Sequence, residues 1–338
     1  MSAGYVPVQV NRFKIGFDVV VIGLVVAYTQ VFETLSRAVY TGNERFIAET
    51  IAMRSWGSCG FLLLTLILSI GPLARLDRRF LPLLYNRRHL GVVTFFVLVV
   101  HAKEVLDWYH GNSRTPQLES LFLHDTTWHV ASLPFQLFGA LALAYLFVMA
   151  ATSHDWWNKN LGAWGWKTLH MGVYGVYTLA VLHVAFGALQ YDIHIGNFLL
   201  LGGSVAWVGG LHLVAAFASR SGDDDSPVQD GWIDAGLRST LVEGRPRRIT
   251  PPGGERIAVL LHKGEVRALH AVCRHQGGPL DEGRVIDDCL TCPWHGWQYR
   301  PESGESPPPF TERVDTYDVK VDGDRILVNP TSKGAARG

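Results

Sequence analysis

Two short stretches near the carboxyl end decide how this chain is organised: CRHQGGPL, Cys273–Leu280, and CPWHGW, Cys292–Trp297. Each begins with a cysteine, and a histidine follows two positions later in the first stretch and three positions later in the second. Two thiolates and two imidazoles, delivered by a pair of loops, form a ligand set for a metal centre. A two-iron cluster bridged by sulfide and a Cys₂His₂ zinc site both use such a set.

The order of the ligands favours the iron–sulfur cluster. Zinc sites usually place two cysteines before two histidines, whereas here each loop carries one ligand of each kind. Neutral histidines in place of two thiolates reduce the negative charge of a cluster and raise its reduction potential to between about −150 and +300 mV. The glycines in both loops would let backbone amides approach the bridging sulfides.

This pair of loops resembles the Rieske [2Fe–2S] domain, over residues 231–329. The resemblance implies four cluster ligands: Cys273, His275, Cys292 and His295. Rieske domains of respiratory complexes carry a further cysteine in each loop, joined as a disulfide, and here Gly278 and Trp294 occupy those places. The chain therefore resembles the Rieske ferredoxins of ring-hydroxylating oxygenases more closely, which implies a potential in the lower part of the range. We interpret Cys289 as a small buried residue.

The segments around these loops predict short β-strands. RIAVLLHKGEVRALHAV, residues 256–272, reads as two strands joined at Lys263-Gly264, and YDVKVDGDRILVNP, residues 317–330, reads as two strands joined at Asp322-Gly323. A small all-β domain is therefore expected after an acidic linker at residues 219–230, and residues 330–338 are expected to form a tail.

The first 218 residues have a different character. Six apolar stretches have lengths near the roughly 20 residues that cross a bilayer. They are Ile15–Phe32, Trp56–Leu73, Leu90–Leu106, Leu133–Thr152, Trp166–Leu189 and Ile195–Ala218. The fold class expected is a membrane all-α six-helix bundle followed by the small all-β domain, with membrane lipid around the bundle.

The distribution of basic residues predicts the orientation of the bundle. Five arginines lie between the second and third stretches, whereas the connection between the fifth and sixth has no lysine or arginine. The positive-inside rule then places both termini in the cytoplasm of a multi-pass protein of the cell inner or plasma membrane. The net charge is zero, so composition gives no indication of nucleic-acid binding.

Ionisable side chains at membrane depth are costly, which makes the histidines of the apolar stretches functional candidates. His101 lies late in the third stretch, and His170 and His183 lie 13 residues apart in the fifth. Because thirteen helical residues rise about 20 Å, His183 is expected near the outer surface with His101, and His170 near the inner surface. A facing pair of imidazoles in a helical bundle suits axial ligation of a haem iron.

RRHLGVVTFFVLVVH, residues 87–101, and LHMGVYGVYTLAVLH, residues 169–183, resemble the ferric-reductase-like transmembrane domain. That resemblance implies b-type haem held by histidines of the third and fifth helices: His101 with His183, and His170 at an inner level. The chain has no histidine fourteen residues before His101; Arg87 occupies that position and could pair with a haem propionate, and His89 lies nearby. One haem b is expected, and a second remains open.

Together these features predict an oxidoreductase that passes electrons from a cytoplasmic donor through the cluster to haem and on to an acceptor at the outer side. No G-x-G-x-x-G follows a predicted strand, so the donor is expected to be a separate flavoprotein reductase or ferredoxin. The alternative is an electron-transfer subunit that exchanges electrons with a partner oxidoreductase or the quinone pool. A redox sensor is a third reading, which the membrane histidines disfavour.

Overall fold

The computed structural model of the protein describes residues 12–39, 44–110, 135–191, 195–220, 228–252, 254–275, 277–293, 296–308 and 310–333. Helices come first and strands follow, which confirms the predicted fold class. The helices are α1 (Arg12–Val39), α2 (Glu44–Leu76), α3 (Leu81–His110), α4 (Phe135–Ala151), α5 (Asp155–Met171), α6 (Val173–Phe186), α7 (Ala188–Tyr191) and α8 (Ile195–Arg220).

Five helical segments in the described ranges are long and apolar enough to cross a membrane. They are Lys14–Val39, Ala48–Leu76, Asn86–Trp108, Gly165–Phe186 and Ile195–Phe217. The fourth predicted span, Leu133–Thr152, corresponds to α4, whose 17 residues are apolar but shorter. Residues 133 and 134, the start of that predicted span, lie outside the described residues.

The fifth predicted span corresponds to the apolar segment Gly165–Phe186, within which α5 ends and α6 begins on either side of Gly172. A Cβ atom at Gly172 would lie 2.3 Å from the hydroxyl oxygen of Tyr145 on α4. That hydroxyl donates a hydrogen bond of 3.1 Å to the carbonyl of Leu169, at the end of α5. The Tyr145 ring therefore occupies the space that a side chain at position 172 would need, and His170 and His183 lie on separate helices.

The interior of the bundle is formed where α2, α4, α6 and α8 meet. Tyr177 of α6 stacks on Phe61 of α2 at 5.4 Å between ring centroids, and its hydroxyl lies 3.2 Å from Thr65 Oγ1. Apolar residues on the outer faces of the helices are exposed, such as Val19, Leu199 and Phe217, each more than 60% exposed. Such faces are suited to contact with lipid.

The carboxyl-terminal part contains a seven-stranded sheet in the order β1-β2-β10-β9-β5-β4-β3 and a three-stranded sheet in the order β6-β7-β8. The strands are β1 (Val228–Gln229), β2 (Trp232–Leu237), β3 (Arg247–Ile249), β4 (Ile257–His262), β5 (Glu265–His270), β6 (Arg284–Ile286), β7 (Cys289–Thr291), β8 (Gln298–Tyr299), β9 (Thr316–Asp322) and β10 (Arg325–Lys333). All pairings between these strands are antiparallel.

Both predicted hairpins are confirmed. The turn between β4 and β5 is Lys263-Gly264, with φ of 52° and 76°, and Gly323 in the turn between β9 and β10 has a φ of 60°. Glycine accepts these positive φ values at little cost, which explains its place in both turns. Strand β1 begins inside the predicted linker, and β10 continues to Lys333, inside the predicted tail.

Candidate metal centres

The two Cys/His stretches form turns with the same hydrogen-bond pattern. In each turn the cysteine N–H donates to the carbonyl five residues later, and the cysteine carbonyl accepts from the N–H four residues later. The four bonds are 2.7–2.8 Å long: Cys273 to Gly278, Gly277 to Cys273, Cys292 to Trp297 and Gly296 to Cys292. The two turns therefore present their cysteines in equivalent ways.

A glycine at the same position of each turn makes this pattern possible. Gly277 and Gly296 each lie four residues after a cysteine, and their φ values are +70° and +68°. A residue with a Cβ atom would be strained in that conformation. These glycines therefore shape the turns, a role in addition to the approach of backbone amides that the sequence suggests.

The cysteines of the two turns are buried, whereas a histidine of the first turn is half-buried. Cys273 is 2% exposed and Cys292 is 1% exposed, and both pack in one core with Leu290 and Tyr299. The His275 ring stacks on Trp297 at 4.1 Å with an angle of 8° between planes. His295, the fourth predicted ligand, lies outside the described residues.

The indole of Trp297 fixes the position of the His275 ring. Its Nε1–H donates a hydrogen bond of 2.9 Å to Ser306 Oγ, and its ring also contacts Phe310 at 4.3 Å between centroids. A ring held in this way keeps the imidazole in one orientation, as a metal ligand requires. Sequence analysis did not identify this support.

Tyr299 is a further residue of this site that sequence analysis missed. Its side chain is fully buried, and its hydroxyl lies 3.3 Å from Cys273 Sγ and accepts a 3.0 Å hydrogen bond from the Arg274 N–H. Burial raises the pKa of Tyr299, and the adjacent Cys273 raises it further. The phenol therefore stays protonated and can donate to a metal-bound thiolate.

Substituting Tyr299 with phenylalanine should lower the reduction potential of a cluster held by these loops. The Tyr299 hydrogen bond stabilises the reduced cluster more, because the sulfur ligands then carry more negative charge. A hydrogen bond of about 1 kcal/mol corresponds to about 40 mV for one electron. A redox titration followed by electron paramagnetic resonance (EPR) measures this shift; Tyr317→Phe, which removes a hydroxyl from the large-sheet core, is the control. An unchanged potential in Tyr299→Phe would contradict the assignment.

Cys289 does not belong to either turn. It begins strand β7 and is 5% exposed, as expected for a small buried residue, and burial raises the pKa of its thiol. A protonated thiol is a poor metal ligand compared with a thiolate. The three cysteines of this domain therefore differ in role, with one on a strand and two at the turns.

A second centre is formed by two histidines in the membrane bundle. The ring centroids of His101 on α3 and His183 on α6 lie 6.2 Å apart, with the rings near perpendicular at 78°. An imidazole nitrogen binds a transition metal at about 2 Å and lies about 1 Å from its ring centre, so two rings on opposite sides of one metal have centres about 6 Å apart. The separation of His101 and His183 fits a metal between them.

The hydrogen bonds of these two rings also support a metal between them. Nδ1 of His101 donates to the carbonyl of Met53 at 2.9 Å, and Nδ1 of His183 donates to the carbonyl of Phe135 at 2.8 Å. These bonds assign the proton to Nδ1 and leave Nε2 as the metal-binding nitrogen in both rings. Neither Nε2 has a hydrogen-bond partner among the residues that the structure describes.

Two glycines make room for the rings. A Cβ atom at Gly57 on α2 would lie 2.9 Å from His101 Cε1, and one at Gly139 on α4 would lie 2.8 Å from His183 Nδ1. These distances are shorter than carbon and nitrogen atoms tolerate without movement. Neither glycine was predicted from the sequence, because the histidines that they contact are distant in the chain.

We expect Gly57→Ala and Gly139→Ala to reduce haem content, because each methyl group would displace a histidine ring from the facing arrangement. Gly203→Ala on α8 is the matched control, since a Cβ atom there meets no atom within 4 Å. Haem per protein, measured from the pyridine haemochrome spectrum, should fall severalfold in the first two variants and stay unchanged in the third. Full haem content in all three would contradict the role of the glycines.

His170 lies apart from the His101–His183 pair. Its Nδ1 bonds to the Trp166 carbonyl at 3.0 Å, its ring stacks on Trp166 at 3.8 Å, and its buried Nε2 has no hydrogen-bond partner in the described part of the chain. The guanidinium of Arg88 covers the same indole at 5.5 Å. The inner haem at His170 stays a prediction.

The two other inner candidates have different surroundings. The side chain of Arg87 is exposed, and its NH1 approaches α2 at Gly71. His89 bonds through Nδ1 to the carboxylate of Asp18 on α1, with 2.8 Å to Oδ2. The structure thus gives His89 a carboxylate partner, and does not bring it into ring contact with His170. The haem roles of Arg87 and His89 stay predictions.

Comparison with known families matches both parts of the chain. A model described as "Ferric reductase like transmembrane component" matches residues 54–181, and one described as "Rieske [2Fe-2S] domain" matches residues 231–333. The first range contains His101 and His170, and His183 lies two residues beyond it. The second contains all four predicted cluster ligands.

Individual proteins match a smaller share of the chain. The oxygenase component of 3-ketosteroid-9-alpha-monooxygenase from Rhodococcus rhodochrous is 31% identical over 28% of this chain and 28% of its own length. Cholesterol 7-desaturase of Ciona intestinalis is 35% identical over 29% of this chain and 21% of its own. The chain thus spans about a quarter of these relatives.

Among solved structures, the ferredoxin of carbazole 1,9a-dioxygenase from Nocardioides aromaticivorans IC177 is 28% identical over 30% of this chain and 100% of its own, with a TM-score of 0.28. The fold, the paired turns and the two family matches all indicate a helical membrane domain followed by a Rieske domain. The chain is a membrane protein in which a ferric-reductase-like transmembrane domain is joined to a carboxyl-terminal Rieske [2Fe–2S] domain.

Proposed function

We propose that this protein transfers electrons across a membrane, from a cytoplasmic donor through the Rieske cluster to b-type haem and on to an acceptor at the outer side. The observation that carries the haem part of the proposal is the His101–His183 pair. Its 6.2 Å separation and its two Nδ1–H bonds to backbone carbonyls suit two axial ligands of one iron.

The residues present fit both groups. Cys273, His275, Cys292 and His295 would hold a [2Fe–2S] cluster, and His101 with His183 would hold a haem b. When bound, each group would accept and release a single electron. His170 would serve a second haem at the inner level, with Arg87 or His89 close to it.

The protein's own residues set the conditions for this transfer. The carbonyls of Met53 and Phe135 hold the two imidazoles in one tautomer, so that no reorientation is needed when the charge changes. Burial of Cys273 and Cys292 keeps water away from their sulfur atoms, and the Tyr299 hydroxyl would donate a hydrogen bond to a Cys273 thiolate. Burial and hydrogen bonding are two of the means by which proteins adjust redox potentials.

The donor proposed is a flavoprotein reductase or a ferredoxin that approaches the Rieske domain in the cytoplasm. The placement of the termini in the cytoplasm rests on the five arginines between the second and third predicted spans. The matches cover about a quarter of the length of the curated relatives. Their steroid substrates are therefore not proposed for this chain.

Transfer across proteoliposomes tests this function. Full-length protein would receive electrons from a ferredoxin and its NADH-dependent reductase outside the vesicle and reduce ferricyanide trapped inside. We expect Cys292→Ser and His183→Leu each to lower the rate at least about tenfold, since each removes one carrier. Rates equal to that of the unaltered protein in both variants would contradict the proposed path. Transfer to a quinone but not to ferricyanide would favour the electron-transfer subunit.

A further inference from the structure

A buried histidine faces three carboxylates where the two sheets of the Rieske domain meet. His262 ends strand β4 and its side chain is 5% exposed. Its Nε2 lies 3.6 Å from Glu302 Oε1 and 3.8 Å from Asp288 Oδ1, and its Nδ1 lies 4.0 Å from Glu243 Oε1. These distances are too long for hydrogen bonds, and Nε2 has no hydrogen-bond partner in the described part of the chain.

A neutral imidazole cannot satisfy this arrangement. One ring nitrogen of neutral histidine carries a proton and the other a lone pair. With the proton on Nε2, the lone pair of Nδ1 faces the carboxylate of Glu243. With the proton on Nδ1, the lone pair of Nε2 faces carboxylate oxygens of Asp288 and Glu302. A cation between Nε2 and these two oxygens would remove that repulsion.

The spacing of the donors fits a small divalent cation. Each bond from zinc to an imidazole nitrogen or a carboxylate oxygen is about 2.1 Å, so two ligands of a tetrahedral zinc lie about 3.4 Å apart. The separations of 3.6 and 3.8 Å at Nε2 are close to this value. Glu243 on the opposite nitrogen would then orient the ring, as carboxylates often do for metal-bound histidines.

To bind a cation together with His262, the side chains of Asp288 and Glu302 must move toward it. No three such donors among the described residues already form a metal-binding group. Asp288 and Glu302 are 67% and 47% exposed, so their side chains are free to rotate toward Nε2. Lys263 Nζ contacts Asp288 through Oδ2 at 2.9 Å, which leaves Oδ1 directed at His262.

We propose that His262, Asp288 and Glu302 form a binding site for a divalent transition-metal cation of the zinc type, separate from the cluster site. The ligands come from the end of β4, from the turn between β6 and β7, and from the loop after β8. A cation there would join the large sheet to the small sheet that carries Cys292. This site does not depend on the proposed direction or acceptor of electron transfer.

Zinc binding to full-length protein tests the site. Detergent-solubilised protein with its cluster intact, first dialysed against a chelator, would be titrated with Zn²⁺ by calorimetry. We expect one zinc ion per chain at this site, with affinity lowered at least about tenfold in His262→Gln and in Glu302→Gln. Glu265→Gln, which removes an exposed carboxylate from the same hairpin, should bind as the unaltered protein does.

Loss of zinc binding in a variant can be distinguished from loss of folding. The EPR signal of the cluster reports whether each variant is folded, and if His262→Gln loses that signal, Glu302→Gln decides. Equal zinc affinity in the unaltered protein and in a folded Glu302→Gln would overturn the site. So would the absence of saturable zinc binding in the unaltered protein, which is the result expected for a permanently charged His262.

Discussion

Replacing His183 with leucine is expected to reduce bound haem to less than about a tenth of the unaltered level, because an axial imidazole is lost and leucine offers no ligand. His101→Leu should have the same effect, since the two rings would hold one iron from opposite sides. Absorbance of the Soret band relative to protein, in detergent-solubilised samples, measures the loss.

His212→Leu is the matched control for this pair. His212 also lies in a membrane helix, α8, but its Nε2 is hydrogen-bonded to the Tyr174 hydroxyl at 3.0 Å. Sequence analysis did not consider this histidine, whose contact joins α6 to α8. Haem content should be retained in His212→Leu. A result in which all three variants keep their haem would exclude the facing pair as the haem site.

Replacing Cys292 with serine is expected to abolish the cluster. Cys292 is 1% exposed, so no other ligand can reach its place, and the second turn would lose its thiolate. The rhombic EPR signal of the reduced cluster should disappear, with two iron atoms and two sulfides lost per chain. Cys273→Ser should behave alike, because the first turn presents its cysteine in the same way.

Cys289→Ser separates loss of a ligand from general damage. Cys289 is also buried in the same domain, three residues before Cys292, but lies on β7 outside both turns. Its substitution should keep the EPR signal and the iron content. Equal loss of the signal in Cys289→Ser and Cys292→Ser would mean that burial, and not ligation, explains the requirement for cysteine.

The two Cys/His turns could be predicted from the sequence because the residues that define each turn are neighbours in the chain. The cysteine, the histidine and the glycine of each turn lie within five residues, so the motif that predicts the ligands is contained in each turn. The hairpins at Lys263-Gly264 and around Gly323 were predictable for the same reason, since positive φ favours glycine. Tyr299 was missed because its contact with Cys273 crosses 26 residues and the centre of the domain.

Contacts between helices limited what could be predicted of the bundle. Periodicity and depth brought His101 and His183 to one level, but the carbonyl partners of the two rings lie 48 residues away in both cases. The need for glycine at position 172 depends on the ring of Tyr145, on another helix. Likewise, the bond between His89 and Asp18 spans 71 residues and has no local signal.

The most direct test is to count both redox groups in one purified sample of the full-length protein. The pyridine haemochrome spectrum gives haem per chain, and metal analysis with EPR of the reduced protein gives the cluster. The account predicts at least one haem b, two non-haem irons and a rhombic cluster signal in each chain. A sample with no Soret band, or one whose Cys/His turns hold zinc with no iron, would contradict it.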